Sequence, residues 1–250
     1  MDSHSICPEV LIAQTRSLWC NKQAIIAVMR FASKKPVIAM IHVGALPGTP
    51  AARSNLLGLE ASALREAKLR LGHACIEDID YPARRQLDRS LVRQLATCTW
   101  VEQHHNVVIT GPTGVGKTYV ACALAQQACR KGYRALYRRV PRLFGELALA
   151  RADGTYPRLL TRLARIDVLV LDDFGLAPLE AQQRQDLLEV LEDRHDLHST
   201  VVASQLPVQN WHAHIEEPTL ADAICERLLH NAHRLMLKGP TRRKLEPRSD

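Results

Sequence analysis

No two of the seven cysteines (Cys7, Cys20, Cys75, Cys98, Cys122, Cys129 and Cys225) form a C-x-x-C pair, and their number is odd. That pattern argues against a zinc ribbon, a thiol redox motif and a paired disulfide framework, and leaves buried free thiols in a reducing compartment as the expectation. Histidine is plentiful, but neither His195 with His198 nor His104 with His105 has a cysteine or carboxylate at ligand spacing, so solvated surface histidines are expected. The longest apolar stretch, between Ala24 and Val43, is interrupted by Arg30, Lys34, Lys35 and Pro36, so no window of about 20 uncharged residues spans a bilayer. The start, MDSHSICPEV, lacks a basic segment followed directly by an apolar one, which argues against a cleavable signal. A cytoplasmic protein with no membrane partner is expected. No internal repeat or low-complexity tract is visible.

Core-forming residues are present in quantity: 46% of the 250 residues are hydrophobic, enough for one large or two small domains. The formal net charge is +7, a prior for a polyanionic partner. Its distribution says more. Between residues 138 and 165 stand Arg138, Arg139, Arg142, Arg151, Arg158, Arg162 and Arg165 against only Glu146 and Asp153. A second basic run, Lys238, Arg242, Arg243, Lys244 and Arg248, lies near the C-terminal end. Arginine suits phosphate because its planar fork donates two hydrogen bonds at once. On charge alone, a phosphate-binding surface and an ordinary solvated face are equal readings.

Apolar residues recur at helical spacing over 59–71 and 86–97. From residue 106 the period changes. Short β-branched runs at 106–110, 134–138, 166–171, 200–204 and 234–237 alternate with helical stretches at 118–131, 141–151, 157–165, 179–195 and 219–230. Alternation of this kind predicts an α/β protein, a parallel five-stranded sheet between helices, preceded by a short helical region.

The first of these strand-to-helix junctions carries chemistry. Gly111, Pro112, Thr113, Gly114, Val115, Gly116, Lys117 and Thr118 satisfy G-x-x-x-x-G-K-[ST] at every position. Such a loop turns backbone N–H groups toward phosphate oxygens, and the helix beginning near Lys117 adds the positive end of its dipole. Lys117 is expected to reach the β and γ phosphates of ATP, and Thr118 to hold Mg²⁺ through its hydroxyl. Four apolar residues, Val168 to Leu171, then lead into Asp172 and Asp173. A carboxylate at the end of a buried strand beside the loop serves as a Mg²⁺ ligand, and the next orients or deprotonates the attacking water; the competing role for Asp173 is a turn or helix cap. A third strand, TVVASQLP, ends in Ser204 and Gln205. Since ligands lie at the carboxyl ends of strands in such sheets, one of this pair senses the γ phosphate, or both merely begin the turn at Pro207.

With these residues in place, the chain from about Leu64 to Arg243 resembles the IstB-like ATP-binding proteins, AAA+ helper ATPases of bacterial insertion sequences related to the replicative helicase loader DnaC. The resemblance rests on ACIEDIDYPARRQLDRSLVRQLA, NVVITGPTGVGKT, YRALYRRVPRLFGELALARADGTYPRLL, VLVLDDFGLAPL, STVVASQLPVQNWH and EPTLADAICERLLHNAHRLMLKG. It implies an AAA+ P-loop NTPase that assembles on duplex DNA as an ATP-bound oligomer, bends or wraps the DNA, recruits a transposase and helps choose its target. It assigns Asp172 as the metal ligand, Asp173 as the catalytic acidic residue and Ser204 or Gln205 as sensor. Arg227 matches the arginine finger that reaches a neighbouring subunit's nucleotide; a helix-surface arginine paired with a glutamate is its other reading. The arginine cluster follows the second strand, which in related assemblies faces DNA, and so nominates Arg138, Arg139, Arg142, Arg158 and Arg162 as DNA contacts.

Two departures from the family stand out. Only eleven residues follow Gly239, so no helical C-terminal lid domain is expected, and Arg242 or Arg243 substitutes for its sensor only in part. The first 57 residues do not resemble the family's helical N-terminal domain. Instead, KKPVIAMIHVGALPGTP, residues 34–50, is similar to the opening strand and loop of BtpA-like proteins, which are similar to TIM barrels. One such unit cannot close an eight-unit barrel. The expected organisation is therefore an atypical segment, residues 1–57, left by a fusion; a helical linker, 58–105; and an AAA+ ATPase domain, 106–250. The alternatives are a DnaC-like helicase loader and an assembly-defective chimera that retains nucleotide binding.

Overall fold

The runs at 106–110, 166–171 and 200–204, rich in β-branched residues and apolar on both faces, can be buried only in the middle of a layered structure, and the computed structural model places them at the centre of a sheet. It describes the backbone of residues 25–29 and 37–41, and residues 60–242. The chain divides into two units, Met1–Gly58 and Leu59–Asp250. In the first, β1 (Ile25–Met29) pairs antiparallel with β2 (Val37–Ile41). The opening strand of a TIM barrel pairs parallel with its neighbours, so the similarity of residues 34–50 to that unit does not extend to strand pairing. The remainder of residues 34–50, and the fusion junction expected near residue 57, lie outside the described residues.

In the second unit residues 60–67 are helical (α1). There follow α2 (Arg89–Ala96), α3 (Thr99–Glu102), β3 (Asn106–Thr110), α4 (Lys117–Arg130), β4 (Ala135–Arg139), α5 (Val140–Ala152), α6 (Tyr156–Ala164), β5 (Val168–Phe174), α7 (Ala181–Glu192), β6 (Ser199–Ser204), α8 (Trp211–Ile215), α9 (Pro218–Leu229) and β7 (Ala232–Met236). The sheet runs β4-β5-β6-β3-β7 with every pair parallel. Every residue of β3 and of β6 is buried, the continuous burial that helices on both faces impose on a parallel strand.

Period-two alternation divides the sheet's side chains between two cores. Val107, Ile109, Val168, Val170, Val201 and Ala203 face α2, α3 and α4. Val108, Leu136, Leu169, Leu171 and Val202 face the layer built from α5 to α9, where Leu147, Leu187, Trp211 and Ile224 meet them. Each large apolar side chain so buried contributes about 1.5–3 kcal/mol. The sheet-facing α4 is rich in small residues, Ala121, Cys122, Ala123, Ala125 and Ala128, all fully buried. Small side chains let a helix lie close to a sheet, which fixes the loop at its N-terminus. Burial pushes the thiols of Cys98 and Cys122 up to about 11, so both remain protonated at neutral pH.

Element ends differ from the periodicity where local hydrogen bonds intervene. The helix read over 86–97 begins only at Arg89, because Gln86 has φ +50° and the Asp88 carboxylate accepts from Ser90 N (2.8 Å) and Leu91 N (3.2 Å) as an N-cap. The helix read over 179–195 begins at Ala181 behind a Glu180–Gln183 capping box and stops at Glu192. β5 extends through Asp172 and Asp173 to Phe174, past its last aliphatic residue. The short α3 and α8 carry too few residues to show a period. His105, His195 and His198 are half-buried rather than solvated: His105 Nδ1 lies 3.4 Å from His233 Nε2, and burial, with Arg194 nearby, holds the His198 imidazole below its ordinary value.

The N-terminal edge of the sheet is stapled by two polar side chains. Arg194, fully buried, donates to the carbonyls of Leu163, Ile166 and Ser199 and to Thr200 Oγ1. Asn106, first residue of β3, donates to the Arg227 carbonyl (2.8 Å) and accepts from Thr200 N (2.8 Å). Among the described residues no helix is long and apolar enough to cross a membrane, and none follows β7.

Candidate functional site

β3 ends at Thr110 and α4 starts at Lys117, so the glycine-rich loop spans 111–116 at the carboxyl edge of the sheet. All three of its glycines are sterically constrained: Gly111 has φ +149°, and a Cβ there would lie 2.2 Å from the Leu237 carbonyl oxygen. Gly114 has φ +82°, and a Cβ there would lie 2.1 Å from Thr241 Oγ1; Gly116, the N-cap of α4, has φ +100°, and its Cβ would lie 2.7 Å from an Arg85 nitrogen. The Lys117 ammonium donates to the carbonyls of Gly111 (2.7 Å) and Pro112 (2.8 Å), which places it across the mouth of the loop.

Beside the loop, the Thr118 hydroxyl donates to Asp172 Oδ2 at 2.9 Å, and the Tyr137 hydroxyl donates to the same oxygen at 2.7 Å. The other oxygen, Oδ1, accepts from Asp173 N at 2.9 Å. Asp172 is buried, and these three donors hold its carboxylate in one orientation. A hydroxyl and a carboxylate in direct contact, both hard oxygen donors, fit Mg²⁺, which is bound through one or two protein oxygens with the rest of its shell from water and phosphate. Burial, reinforced by the Asp172 carboxylate, pushes the Tyr137 phenol well above its ordinary value, so it stays a donor. Sequence reading missed Tyr137: within ALYRR it reads only as an inward-facing aromatic, and no spacing reports that its hydroxyl reaches the next strand's carboxylate.

Asp173 sits where the β5–β6 register slips between Leu171 and Phe174, with φ +59°. A non-glycine residue in the left-handed region is uncommon and is tolerated best by Asp and Asn. The Arg139 Nε donates to Asp173 Oδ2 at 2.6 Å. At the end of β6 the structure separates Ser204 from Gln205. Ser204 is buried, donating to Phe174 O (2.8 Å) and accepting from Leu206 N (3.1 Å), and so closes the turn. Gln205 Oε1 instead accepts from Thr113 Oγ1 at 2.7 Å, linking the third strand to the glycine-rich loop.

The arginines fall into different environments. Arg138 departs from the expected surface role: its side chain is buried, bonded to Glu146 (3.0 Å) and to the Tyr137 carbonyl (2.8 Å), because strand alternation turns it inward. Arg139 is engaged with Asp173. Arg142, Arg158 and Arg162 are exposed, and the last two stand four residues apart, on one face of α6.

Arg227, near the end of α9, pairs with Glu192 (2.7 Å) and Glu226 (3.0 Å), and its Nε is buried without a hydrogen-bond partner among the described residues. Its backbone is tied to Asn106 at the start of β3, whereas the glycine-rich loop leaves the end of the same strand. Five strand residues extend about 16 Å, so Arg227 and the loop stand at opposite edges of the sheet.

A parallel sheet in this order, with such a loop on the strand between β6 and β7 and a carboxylate strand alongside, is a P-loop ATP-binding fold of the AAA+ type. The chain belongs to the IstB-like ATP binding proteins, whose family model matches residues 58–249. It is 53% identical over 188 residues to y4pL of Sinorhizobium fredii, named as an insertion sequence ATP-binding protein, covering 75% of this chain and 76% of that one. Among solved structures, that of DnaI is similar with a TM-score of 0.57 at 24% identity, covering 71% of this chain and 94% of that one. The DnaC helicase loader follows at 0.53 and 22%, covering 66% and 97%. At these identities the two structures speak to the fold alone.

Proposed function

We propose that the protein is an ATP-hydrolysing helper of transposition that assembles on duplex DNA and engages a transposase. The observation that carries the hydrolytic part is the Thr118–Asp172 contact beside the glycine-rich loop, with a second carboxylate, Asp173, next along β5. Membership in a family of insertion-sequence ATP-binding proteins supports the transposition part.

In this reading the loop amides and Lys117 grip the phosphates, while Thr118 and Asp172 would hold Mg²⁺, which would supply charge neutralisation to the bound nucleotide. Tyr137 keeps the Asp172 carboxylate turned toward Thr118. Asp173 orients the attacking water and takes its proton, and Gln205, through Thr113, reports which phosphates fill the loop. Arg227 completes the site of the next subunit, since its own loop lies beyond reach across the sheet. ATP turnover measured with and without duplex DNA over a range of protein concentrations tests the proposal: specific activity is expected to rise with both. Activity flat in both would leave a P-loop protein that does not assemble, and single-strand preference together with helicase binding would indicate a loader.

Arg142, Arg158 and Arg162 form the proposed DNA-facing surface. Phosphate contacts make affinity fall with salt and vary little with sequence. The double variant Arg158→Ala/Arg162→Ala is expected to bind duplex DNA more weakly at every sequence. It should also flatten the slope of log affinity against log salt by about 2, near 0.9 for each lost phosphate contact. Fluorescence anisotropy at several salt concentrations measures both, and an unchanged slope would remove these two residues from the interface.

A further inference from the structure

Of the three buried arginines among the described residues, Arg138 is paired with Glu146, and the other two, Arg194 and Arg85, invite comparison. Arg194 is a structural arginine, with its donors spread over three carbonyls and a hydroxyl. Arg85, 4% exposed, is different. Its Nη1 donates to the Asp80 carbonyl (2.7 Å), and its Nε is buried without a hydrogen-bond partner among the described residues. No carboxylate among the described residues forms an ion pair with it; the Asp80 carboxylate is taken by Arg242 (3.0 Å). Its Nη2 stands 2.7 Å from where a Cβ on Gly116 would be, directly against the last glycine of the nucleotide loop.

The surroundings make this cation harder to bury. Arg85 lines a cavity of about 230 Å³ beside Val115, together with Arg84, Lys238 and Arg242, against the single carboxylate of Asp80. The first turn of α4, which begins at Lys117, adds the positive end of a helix dipole. Burial and the neighbouring Arg242 both act against the charged guanidinium. The position is nonetheless fixed: Lys238 N donates to the Arg85 carbonyl (2.9 Å), and Arg242 N to the Gly114 carbonyl (2.8 Å). The chain after β7 thus ties the Asp80–Arg85 segment to the glycine-rich loop. A buried cation held rigidly with donor capacity to spare, among other cations, calls for an anion.

We infer that Arg85 is a nucleotide-binding residue whose guanidinium pairs with the diphosphate common to ATP and ADP, at the Gly116 side of the loop. The inference rests on the ATP-binding reading of that loop and adds to it a ligand from outside the motif. Lys117 serves the β and γ phosphates, so Arg85 acts on the portion that hydrolysis leaves behind. ATP and ADP depend on it alike.

Isothermal titration of ATP and ADP into the full chain, wild type, Arg85→Met and Arg85→Lys, tests this, with thermal melting of each in the absence of nucleotide. The Met variant is expected to bind both nucleotides about 10- to 100-fold more weakly, the loss of one charge-assisted hydrogen-bonded contact. The Lys variant, which keeps the charge, should recover most of that loss. The nucleotide-free melting temperature of the Met variant should equal or exceed that of wild type, because an unpaired buried charge has been removed. Met-variant affinities within twofold of wild type would overturn the assignment. So would a Lys variant as weak as Met, or a melting temperature that falls in step with affinity, the mark of a merely structural arginine. Wild type that binds neither nucleotide would instead refute the ATP-binding reading itself, an outcome visible before any variant is made.

Discussion

Arg227→Ala is expected to lower ATP turnover by about 10³-fold or more while leaving the ATP dissociation constant close to that of wild type, the effect of removing an arginine finger supplied in trans. The geometry makes the separation of the two quantities sharp. Arg227 is anchored to the start of β3 through Asn106, and the loop that grips phosphate leaves the far end of that strand. Loss of the side chain therefore removes nothing from the chain's own cradle. Mixing supplies the decisive control: Arg227→Ala chains combined with chains carrying Lys117→Ala should regain activity, since each supplies what the other lacks. A variant with wild-type turnover, or a mixture without recovery, would return Arg227 to the role of a surface arginine paired with Glu192 and Glu226.

Asp173→Asn should lower turnover by about 10²- to 10⁴-fold, the usual contribution of a positioned general base, again with ATP binding retained. Asparagine tolerates the left-handed backbone that Asp173 adopts at φ +59°, so the substitution tests the carboxylate rather than the turn. Removing that carboxylate also releases Arg139, whose Nε donates to it at 2.6 Å. The pair is partly exposed, so its effect on stability is small, about 1 kcal/mol or less. A melting temperature near that of wild type alongside a collapse of single-turnover hydrolysis is the expected result. Equal turnover would leave Asp173 as a shaped turn residue.

Much of this architecture is legible in the chain because its central strands are buried on both faces. Such strands must be continuous and apolar, and Val107–Ile109, Val168–Leu171 and Val201–Ala203 read as strands for that reason. The glycine-rich loop is legible because backbone conformation restricts which residues occupy it. What escapes reading is set by side-chain direction across elements distant in sequence. Arg138 and Arg142 look equivalent in a basic run, yet one lies inside beside Glu146 and the other in solvent. Ser204 and Gln205 are adjacent and both polar, and only the turn at the end of β6 decides which reaches Thr113. Arg85 belongs to a segment 26 positions ahead of the loop by residue number, and nothing in its local pattern marks it as facing Gly116.

Under the proposed role of Arg227, the span of β3 would set an arithmetic of assembly. If cradle and finger occupy opposite ends of one strand, every chain offers half of two different sites, and copies must join head to tail. Such a contact closes into a ring or continues as an open helix. A ring of n chains holds n complete sites, whereas an open array holds n − 1, with one terminal cradle lacking its finger. Under that proposal short open arrays would hydrolyse least per chain and long ones would approach the ring's value, so specific activity would gauge filament length.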